Sequence, residues 1–466
     1  MIDNSNNFIK DYIIYGAGDA GRQIYSSLEN INKKVFCFID DNKQKQSKDL
    51  YGKKIISYKK FKNLIKVTKF ENIIIAIPSL SNKKFLKIKN YLKNKIPNIE
   101  FVPLKNKLKS DFVTIEDLSN LDVSSIIRRK SKLINYKLIQ REYKNKNILI
   151  TGGCGSIGSQ LCRNLLNVKA NKIIILDNSE ISLFHFKNEM ASFKNVIFYL
   201  GDILDKKLVD FIIKNENINI IFHTAAYKHV NILEENIHSA FRNNILGTKS
   251  ILDVAKNYKE ILIVTISTDK AVKPKNILGV TKRISELIAL SYNEYNLDSR
   301  VVRFGNVFGS KGSAIPTFIE QINNKLPITI TSRKATRYFM TINEACYLLM
   351  LSIKIKKPTN VLIFNMGKPV KIIEVINKLI RIKKKFNKNY NFKIKNIGLK
   401  KGEKLNEQLS IFKNLKKTKI KDIKITSDPL YQKNELLILL KLIETNTNTN
   451  FKMAKLKFFL KKEIKA

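Results

Sequence analysis

The segment that most restricts what this chain can fold into is NILITGGCGSIGSQLCRNLL, residues 147–166. An apolar run, Ile148 to Ile150, leads into Thr151 and then Gly152-x-x-Gly155-x-x-Gly158, with a helix expected to start near Ser156. Glycines between a strand and a helix let the backbone close around a pyrophosphate. The helix N-terminus then offers free N–H groups and a partial positive charge. Gly152, Gly155, Ser156, Ile157 and Gly158 are therefore the expected phosphate-side residues. Downstream, KIIILDNS ends in Asp177, VIFYLGDILD carries Asp202, and INIIFHTAA ends in Ala225 and Ala226. Strands that alternate with helical stretches in this way call for a parallel, doubly wound sheet.

A shorter version of the same opening begins the chain. DYIIYGAGDAGRQIYSSL holds a strand and Gly16-x-Gly18-x-x-Gly21, and KVFCFIDDN ends in Asp40 and Asp41. NIIIAIPS and IEFVPL supply two more strands. A lone glycine triplet of this kind leaves nucleotide binding by this domain open. The expected fold class is α/β: a doubly wound parallel-sheet (Rossmann) domain with a smaller C-terminal substrate lobe, preceded by a second small Rossmann-like domain. The expected divisions are residues 1–103, a linker at 104–146, the cofactor domain at 147–310, the lobe at 311–444 (partly interleaved with the cofactor domain), and a basic tail at 445–466.

Charge narrows the function classes. The chain carries 86 Lys and Arg against 39 Asp and Glu, a formal +47. The excess is mostly Lys, spread from end to end among abundant Asn and Ile. That reads as drift in composition and not as a nucleic-acid platform, because no aromatic-basic module accompanies it. Attraction for an anionic small molecule is the milder inference. Four cysteines without CxxC or metal-type spacing indicate neither a disulfide scaffold nor a metal site. No long apolar window or leader pattern is present, so a cytoplasmic protein without a transmembrane segment is expected. The tail FKMAKLKFFLKKEIKA is basic and amphipathic, which allows a weak peripheral contact with an anionic membrane.

The chemistry clusters at the strand ends. TGxxGxxG is the spacing of short-chain dehydrogenases and reductases. Asp177 at the tip of the second strand would accept from an adenosine ribose and repel a 2′-phosphate, which favours NAD. Asp202 is placed to reach the adenine amino group, with Ile203, Ala225 and Ala226 completing the expected cofactor wall. Such enzymes usually carry Tyr-x-x-x-Lys on a helix, where the i,i+4 spacing puts both on one face. Here the segment reads Leu278-Gly279-Val280-Thr281-Lys282: the lysine is present and the tyrosine is not. Just before it, ISTDKAVKPKN offers Ser267, Thr268, Asp269 and Lys270 at a strand's C-terminal end, where doubly wound sheets hold ligands.

These segments together resemble the CapD-like polysaccharide-biosynthesis proteins, nucleotide-sugar 4,6-dehydratases of the extended short-chain class. The matching stretches are TGGCGSIGS, HTAAYKHVNILEEN, NNILGT, STDKAVKPKNILGVTKR, VVRFGNVFGSKGSAIPTF, ATRYFMTINEA, FNMGKPVKI and IGLKKGEKLNEQL, in order across roughly residues 147–410. The N-terminal pattern is similar to the additional domain of longer members, without their membrane helices. Those members also carry an apolar residue at the missing-tyrosine position. The resemblance implies UDP-N-acetylglucosamine as substrate, NAD as a cofactor that is not consumed, and a homo-oligomer. It implies Asp269 as the acid at O6, Lys270 as the base at C5, Thr268 as the residue orienting the sugar hydroxyl, and Lys282 as the ribose-holding lysine. Burial beside cationic Lys282 is expected to lower the pKa of Lys270. Asn306, Lys311, Arg337 and Lys404 match nucleotide-contacting positions, while Tyr227, Lys228 and His229 would edge the sugar site. Asn244 resembles the asparagine that supports the active-site lysine, and Arg303 either contacts nucleotide or pairs within the fold. A nucleotide-sugar 4-epimerase and a non-catalytic nucleotide-sugar-binding protein are the alternatives.

Overall fold

The computed structural model describes residues 9–101 and 135–428, apart from short stretches at 31–32, 47–48, 78–87, 89, 93–94, 296, 311, 325, 357, 359, 385–391, 401 and 413–414, and also Lys441. The chain divides into two compact units, Met1–Asp122 and Val123–Ala466. The basic tail and most of the expected linker lie outside the described residues.

In the first unit, β1 (Ile9–Tyr15) runs into α1 (Asp19–Asn30), followed by β2 (Val35–Ile39), β3 (Asp49–Leu50), β4 (Lys53–Ile56), β5 (Phe70–Ile75) and β6 (Asn98–Phe101). The sheet order is β3-β4-β2-β1-β5-β6. All neighbours are parallel except β3 and β4. Asp40, at the tip of β2, accepts from the Ala17 amide at 2.9 Å and is paired with Lys45 at 3.1 Å.

The second unit is built on nine strands in the order β20-β21-β17-β12-β11-β10-β7-β8-β9. Its parallel body comprises β7 (Asn147–Thr151), β8 (Lys172–Asp177), β9 (Val196–Leu200), β10 (Ile220–His223), β11 (Leu262–Thr268), β12 (Asp298–Phe304) and β17 (Leu362–Phe364). β20 (Lys416–Lys417) and β21 (Ile423–Ile425) close one edge in antiparallel fashion. The near-continuous apolar runs of β7, β8 and β10 follow from burial on both faces. Leu149, Ile174 and Ile221 pack with α3 (Lys206–Asn215), α4 (Gly247–Ala255) and α5 (Ile277–Ser291). Ile148, Ile150 and Phe222 face the other way, against α2 (Ser156–Asn167) and α6 (Ile342–Ser352). Each such side chain contributes about 1.5–3 kcal/mol of burial.

Residues 135–143, inside the expected linker, pack into this core. Ile139 and Tyr143 are fully buried, and the Tyr143 hydroxyl donates to the Met350 carbonyl at 2.8 Å. The lobe carries three small strand pairs together with helices Ala314–Asn323 and Ile372–Lys384. β13 (Asn306–Phe308) lies beside β16 (Phe339–Thr341), β14 (Ile328–Ile330) beside β19 (Ile394–Asn396), and β15 (Thr336–Arg337) beside β18 (Val370–Lys371). Because β17, β20 and β21 return to the large sheet between and after these pairs, lobe and sheet are interleaved. Among the described residues no helix is long and apolar enough to cross a membrane.

Candidate functional site

β7 has β8 on one side and β10 on the other, so the order of the sheet reverses there and the connections diverge at its C-terminal edge. An open cleft of ≈ 270 Å³ sits at that edge, lined by Gly152, Gly155, Asp177, Asp202, Ile203, Ala225 and Ala226 among others. Ser156, Ile157 and Gly158 form the first turn of the helix behind it. A Cβ at Gly158 would lie 2.6 Å from the Gly152 carbonyl oxygen, so only glycine lets the turn and helix close this tightly. Asp177 accepts from the Cys154 amide at 2.9 Å and from the Ser179 amide at 3.0 Å, which joins the glycine turn to the tip of β8. Asp202 accepts from the Leu204 amide at 3.0 Å.

Two polar side chains hold the far wall. His223 lies within hydrogen-bond reach of Thr151 (2.8 Å) and Thr248 (3.0 Å), and burial, aided by Lys282, pushes its pKa down to about 3. It is a neutral structural tie between β7 and β10. Asn244 lies on a π-helical turn, Phe241–Leu246. It accepts from the Tyr227 amide at 2.8 Å and donates to the Tyr227 carbonyl and the Thr281 hydroxyl, both at 3.1 Å. It thus fixes the loop leaving β10 against the helix that carries Lys282.

β11 ends in a short turn, Asp269–Ala271, which carries the acid and the amine. Asp269 is 0 % exposed; its Oδ1 accepts from the Thr268 hydroxyl at 2.9 Å and from Lys270 Nζ at 3.0 Å. Lys270 also reaches Asn306 Oδ1 at 3.4 Å. Helix α5 presses onto this turn: a Cβ at Gly279 would come within 2.3 Å of the Lys270 carbonyl. That contact brings the first turns of α5, with Leu278 and Lys282, toward the same region, and Leu278 is buried.

The proton affinity of Lys270 runs opposite to the expectation from sequence. Burial alone would lower its pKa, but the carboxylates of Asp269 and Glu407 outweigh burial and raise it. The cation that opposes them is Arg337, not Lys282. Lys270 therefore rests as an ammonium in a buried ion pair.

Lys282 is the contrasting lysine. It is 5 % exposed, its Nζ makes no hydrogen bond among the described residues, and burial, partly offset by Glu286, lowers its pKa to about 8. A lysine side chain withdrawn from water, with no hydrogen-bond partner among the described residues, fits a site that receives the hydroxyls of a dinucleotide. Replacing Lys282 by Met removes a cation whose pKa is about 8 in the fold against a reference of 10.5. The ligand-free protein is expected to gain about 3 kcal/mol near neutral pH. The sign follows from linkage: the lowered folded pKa makes this lysine destabilising wherever it is protonated. The difference between variant and wild type should therefore shrink as pH rises from about 8 to 10.5. Denaturation midpoints of both proteins across that range check it, and a variant less stable than wild type at pH 7 would refute it.

The other expected substrate residues divide. Asn306 lies at the acid–amine pair. Arg337 donates to Glu403 at 2.8 Å and to the carbonyls of Thr336 and Leu405, so its guanidinium is committed within the lobe. Lys404 donates to the Val272 carbonyl and lies 3.7 Å from Glu407. Tyr227, Lys228 and His229 are exposed as residues on the loop after β10, but the Lys228 amine end is partly withdrawn from water, which lowers its pKa. Lys311 lies outside the described residues. Arg303 pairs within the fold, bound to Glu286 and Asp428. Glu407, which the sequence reading did not single out, joins the Lys270 cluster at 3.9 Å. Its only sequence signal is its place in GEKLNEQL.

Comparison with known proteins places these features in context. Residues 148–428 match the family described as "Polysaccharide biosynthesis protein", and residues 9–97 match "C2185-like, N-terminal". The Capsular polysaccharide biosynthesis protein CapD of Staphylococcus aureus is 37% identical over 416 residues, covering 86% of this chain and 68% of that one. The UDP-N-acetylglucosamine 4,6-dehydratase (inverting) of Campylobacter jejuni is 36% identical over 213 residues, 43% of this chain and 61% of that one. The X-ray structure of Pen from Bacillus thuringiensis superposes with a TM-score of 0.53 at 34% identity, covering 57% of this chain and 84% of that one.

Proposed function

Because this chain belongs to the polysaccharide biosynthesis protein family, we propose that it is a hydro-lyase that dehydrates UDP-N-acetylglucosamine with the help of NAD. The product is the UDP-2-acetamido-2,6-dideoxy-4-keto-hexose, made for a surface polysaccharide. The observation that carries this reading is the ion pair of Lys270 with the fully buried Asp269 at the end of β11, with Lys282 on the helix packed against that turn and no tyrosine at position 278. An epimerase of this fold would need that phenolic hydroxyl, and Leu278 cannot supply one.

Bound NAD would supply the hydride acceptor for C4 and the hydride donor for C6. Gly152, Gly155 and the N-terminus of α2 would hold its pyrophosphate, with Asp177 at the adenosine ribose, Asp202, Ile203, Ala225 and Ala226 around the adenine side, and Lys282 at the nicotinamide ribose. Once C4 is a ketone, the C5 proton is acidic. Lys270 rests as an ammonium, so it becomes a base by passing its proton to Asp269 across their 3.0 Å contact. That one transfer prepares both partners: a neutral amine to take the C5 proton and a carboxylic acid to protonate O6. The C6–O6 bond then breaks, water leaves and the C5–C6 double bond forms. Thr268, which donates to Asp269, holds the carboxyl and orients the sugar hydroxyl. In this reading residues 147–310 hold the cofactor and 311–444 most of the UDP-sugar, with Lys228, Asn306, Lys311, Arg337 and Lys404 on the substrate side. The protein works as a cytoplasmic homo-oligomer.

Proton NMR of the protein with UDP-N-acetylglucosamine in deuterated water, without added cofactor, tests the proposal. The expected result is a new C6 methyl signal with deuterium at C5, whose configuration the same spectra report. No change, even after NAD is added, would reject the dehydratase reading in favour of a nucleotide-sugar-binding protein.

A further inference from the structure

Glu407 reaches the acid–amine pair on a segment suspended over the turn that follows β11. Asn276, which caps α5, donates to the Gly402 carbonyl at 3.0 Å. Lys404 donates to the Val272 carbonyl, and the Thr336 amide donates to the Leu405 carbonyl at 3.0 Å. Held this way, Glu407 is 7 % exposed, with Oε1 3.9 Å from Lys270 Nζ and Oε2 3.7 Å from Lys404 Nζ. Oε2 is buried and accepts no hydrogen bond among the described residues, and Asp269 Oδ2 is in the same condition. Two buried carboxyl groups, each with one open oxygen, therefore flank the Lys270 ammonium, with Lys404 on the far side of Glu407.

Like charges in so small a volume do not ionise independently, and their protons are held by the cluster as a whole. The charged groups that face Glu407 are Asp269 and Lys270 from the turn, Lys404 from its own segment, and Arg337 from β15. Lys275 acts on Lys404. Burial first, and then Asp269, push the Glu407 carboxyl upward, and the cations do not fully reverse it.

We propose that Glu407 is a positioning residue of the elimination: while protonated it leaves the transfer of the Lys270 proton to Asp269 open, and its ionisation locks Lys270 as an ammonium and switches the base off. The inference rests on the dehydratase reading. With Glu407 neutral, Lys270 faces one carboxylate and its proton can cross to Asp269. With Glu407 ionised, a second negative charge at 3.9 Å favours the ammonium and the transfer is suppressed. Glu407 itself exchanges no proton with substrate.

The test is the pH profile of E407Q, which keeps the shape of the side chain and fixes it neutral. Its kcat is expected to stay within about threefold of wild type on the plateau, with KM unchanged, and to lose the alkaline fall that the proposal predicts for wild type. An alkaline limb identical to wild type would overturn the proposal. So would a loss of about 100-fold in kcat at constant KM, since that marks a group that transfers a proton itself. A second measurement needs no substrate, and so separates this inference from the dehydratase reading. In protein labelled with ¹³C at glutamate carboxyls, the resonance missing from E407Q should titrate well above about 4.3, the ordinary glutamate value. Titration at the ordinary value would refute the proposal whatever the protein's activity.

Discussion

Alanine in place of Lys270 is expected to slow deuterium uptake at C5 of UDP-N-acetylglucosamine by about 10²–10⁴-fold. The cofactor content and the affinity for UDP should stay near those of the wild type, because Lys270 faces Asp269, Asn306 and Glu407 and does not line the cofactor cleft. Only the removal of the C5 proton needs its amine. Losing the cation also changes Asp269, whose Oδ1 keeps a single donor, the Thr268 hydroxyl. Asp269→Asn makes the complementary case. It keeps the hydrogen-bonding shape but can neither take the Lys270 proton nor give one to O6, so C5 exchange and methyl formation should both fall. A Lys270→Ala protein that washed deuterium into C5 at the normal rate would remove Lys270 from the mechanism.

Arg303→Leu should be the most damaging substitution for the fold itself. The Arg303 guanidinium is fully buried; Nε and Nη2 donate to the two oxygens of Glu286 at 2.8 and 2.6 Å. Nη1 donates to Asp428 at 2.6 Å and to the Leu409 carbonyl at 2.9 Å. Ser267 and Arg283 complete the shell of Glu286 at 2.6 and 3.0 Å. One guanidinium thus ties β12 to α5 and to the chain returning at Asp428. Leucine would strand two buried carboxylates, a loss of about 3–5 kcal/mol. Hydrogen exchange of the β11 and β12 amides should report it directly, without assuming that both units unfold together.

The same network sets an acid limit. Burial works to raise the pKa of Glu286, but Arg303, Arg283 and Ser267 overcome it and the net shift is downward. A carboxyl with a depressed folded pKa contributes stability that is complete above its unfolded value and is lost as pH falls through the folded one. Wild type should therefore lose this contribution only at pH below about 4.3. In Arg303→Leu the main compensating charge is gone, and acid unfolding should begin at higher pH. An unchanged acid midpoint would mean that Glu286 is stabilised by other groups.

Local chemistry was legible from the chain alone. The glycine turn at 152–158, the parallel strands and the aspartates at the tips of β8 and β9 depend on neighbours a few residues away, on backbone sterics and on apolar periodicity. The structure gathers Gly152, Gly155, Asp177, Asp202, Ile203, Ala225 and Ala226 around one cleft. Segment 135–143 was less legible. Its apolar residues are too few to announce a core, yet Tyr143 is buried because Met350, more than 200 residues on, offers a carbonyl to its hydroxyl.

What the sequence determined by itself is the pair of α/β units, the dinucleotide-type turn and the presence of Asp269, Lys270 and Lys282 near a strand end. Only the tertiary structure decided how these groups hold their protons. Lys270 was expected to lose proton affinity and instead gains it, because the buried Asp269 first, and then Glu407 arriving from far down the chain, favour its ammonium. Lys282, without a carboxylate in hydrogen-bonding reach, is the lysine whose affinity falls. Arg337 and Lys404 bind Glu403 and the Val272 carbonyl. A turn or a strand is specified by short-range backbone terms, whereas the charge state of a buried amine is set by the summed field of whatever the fold places within a few ångströms.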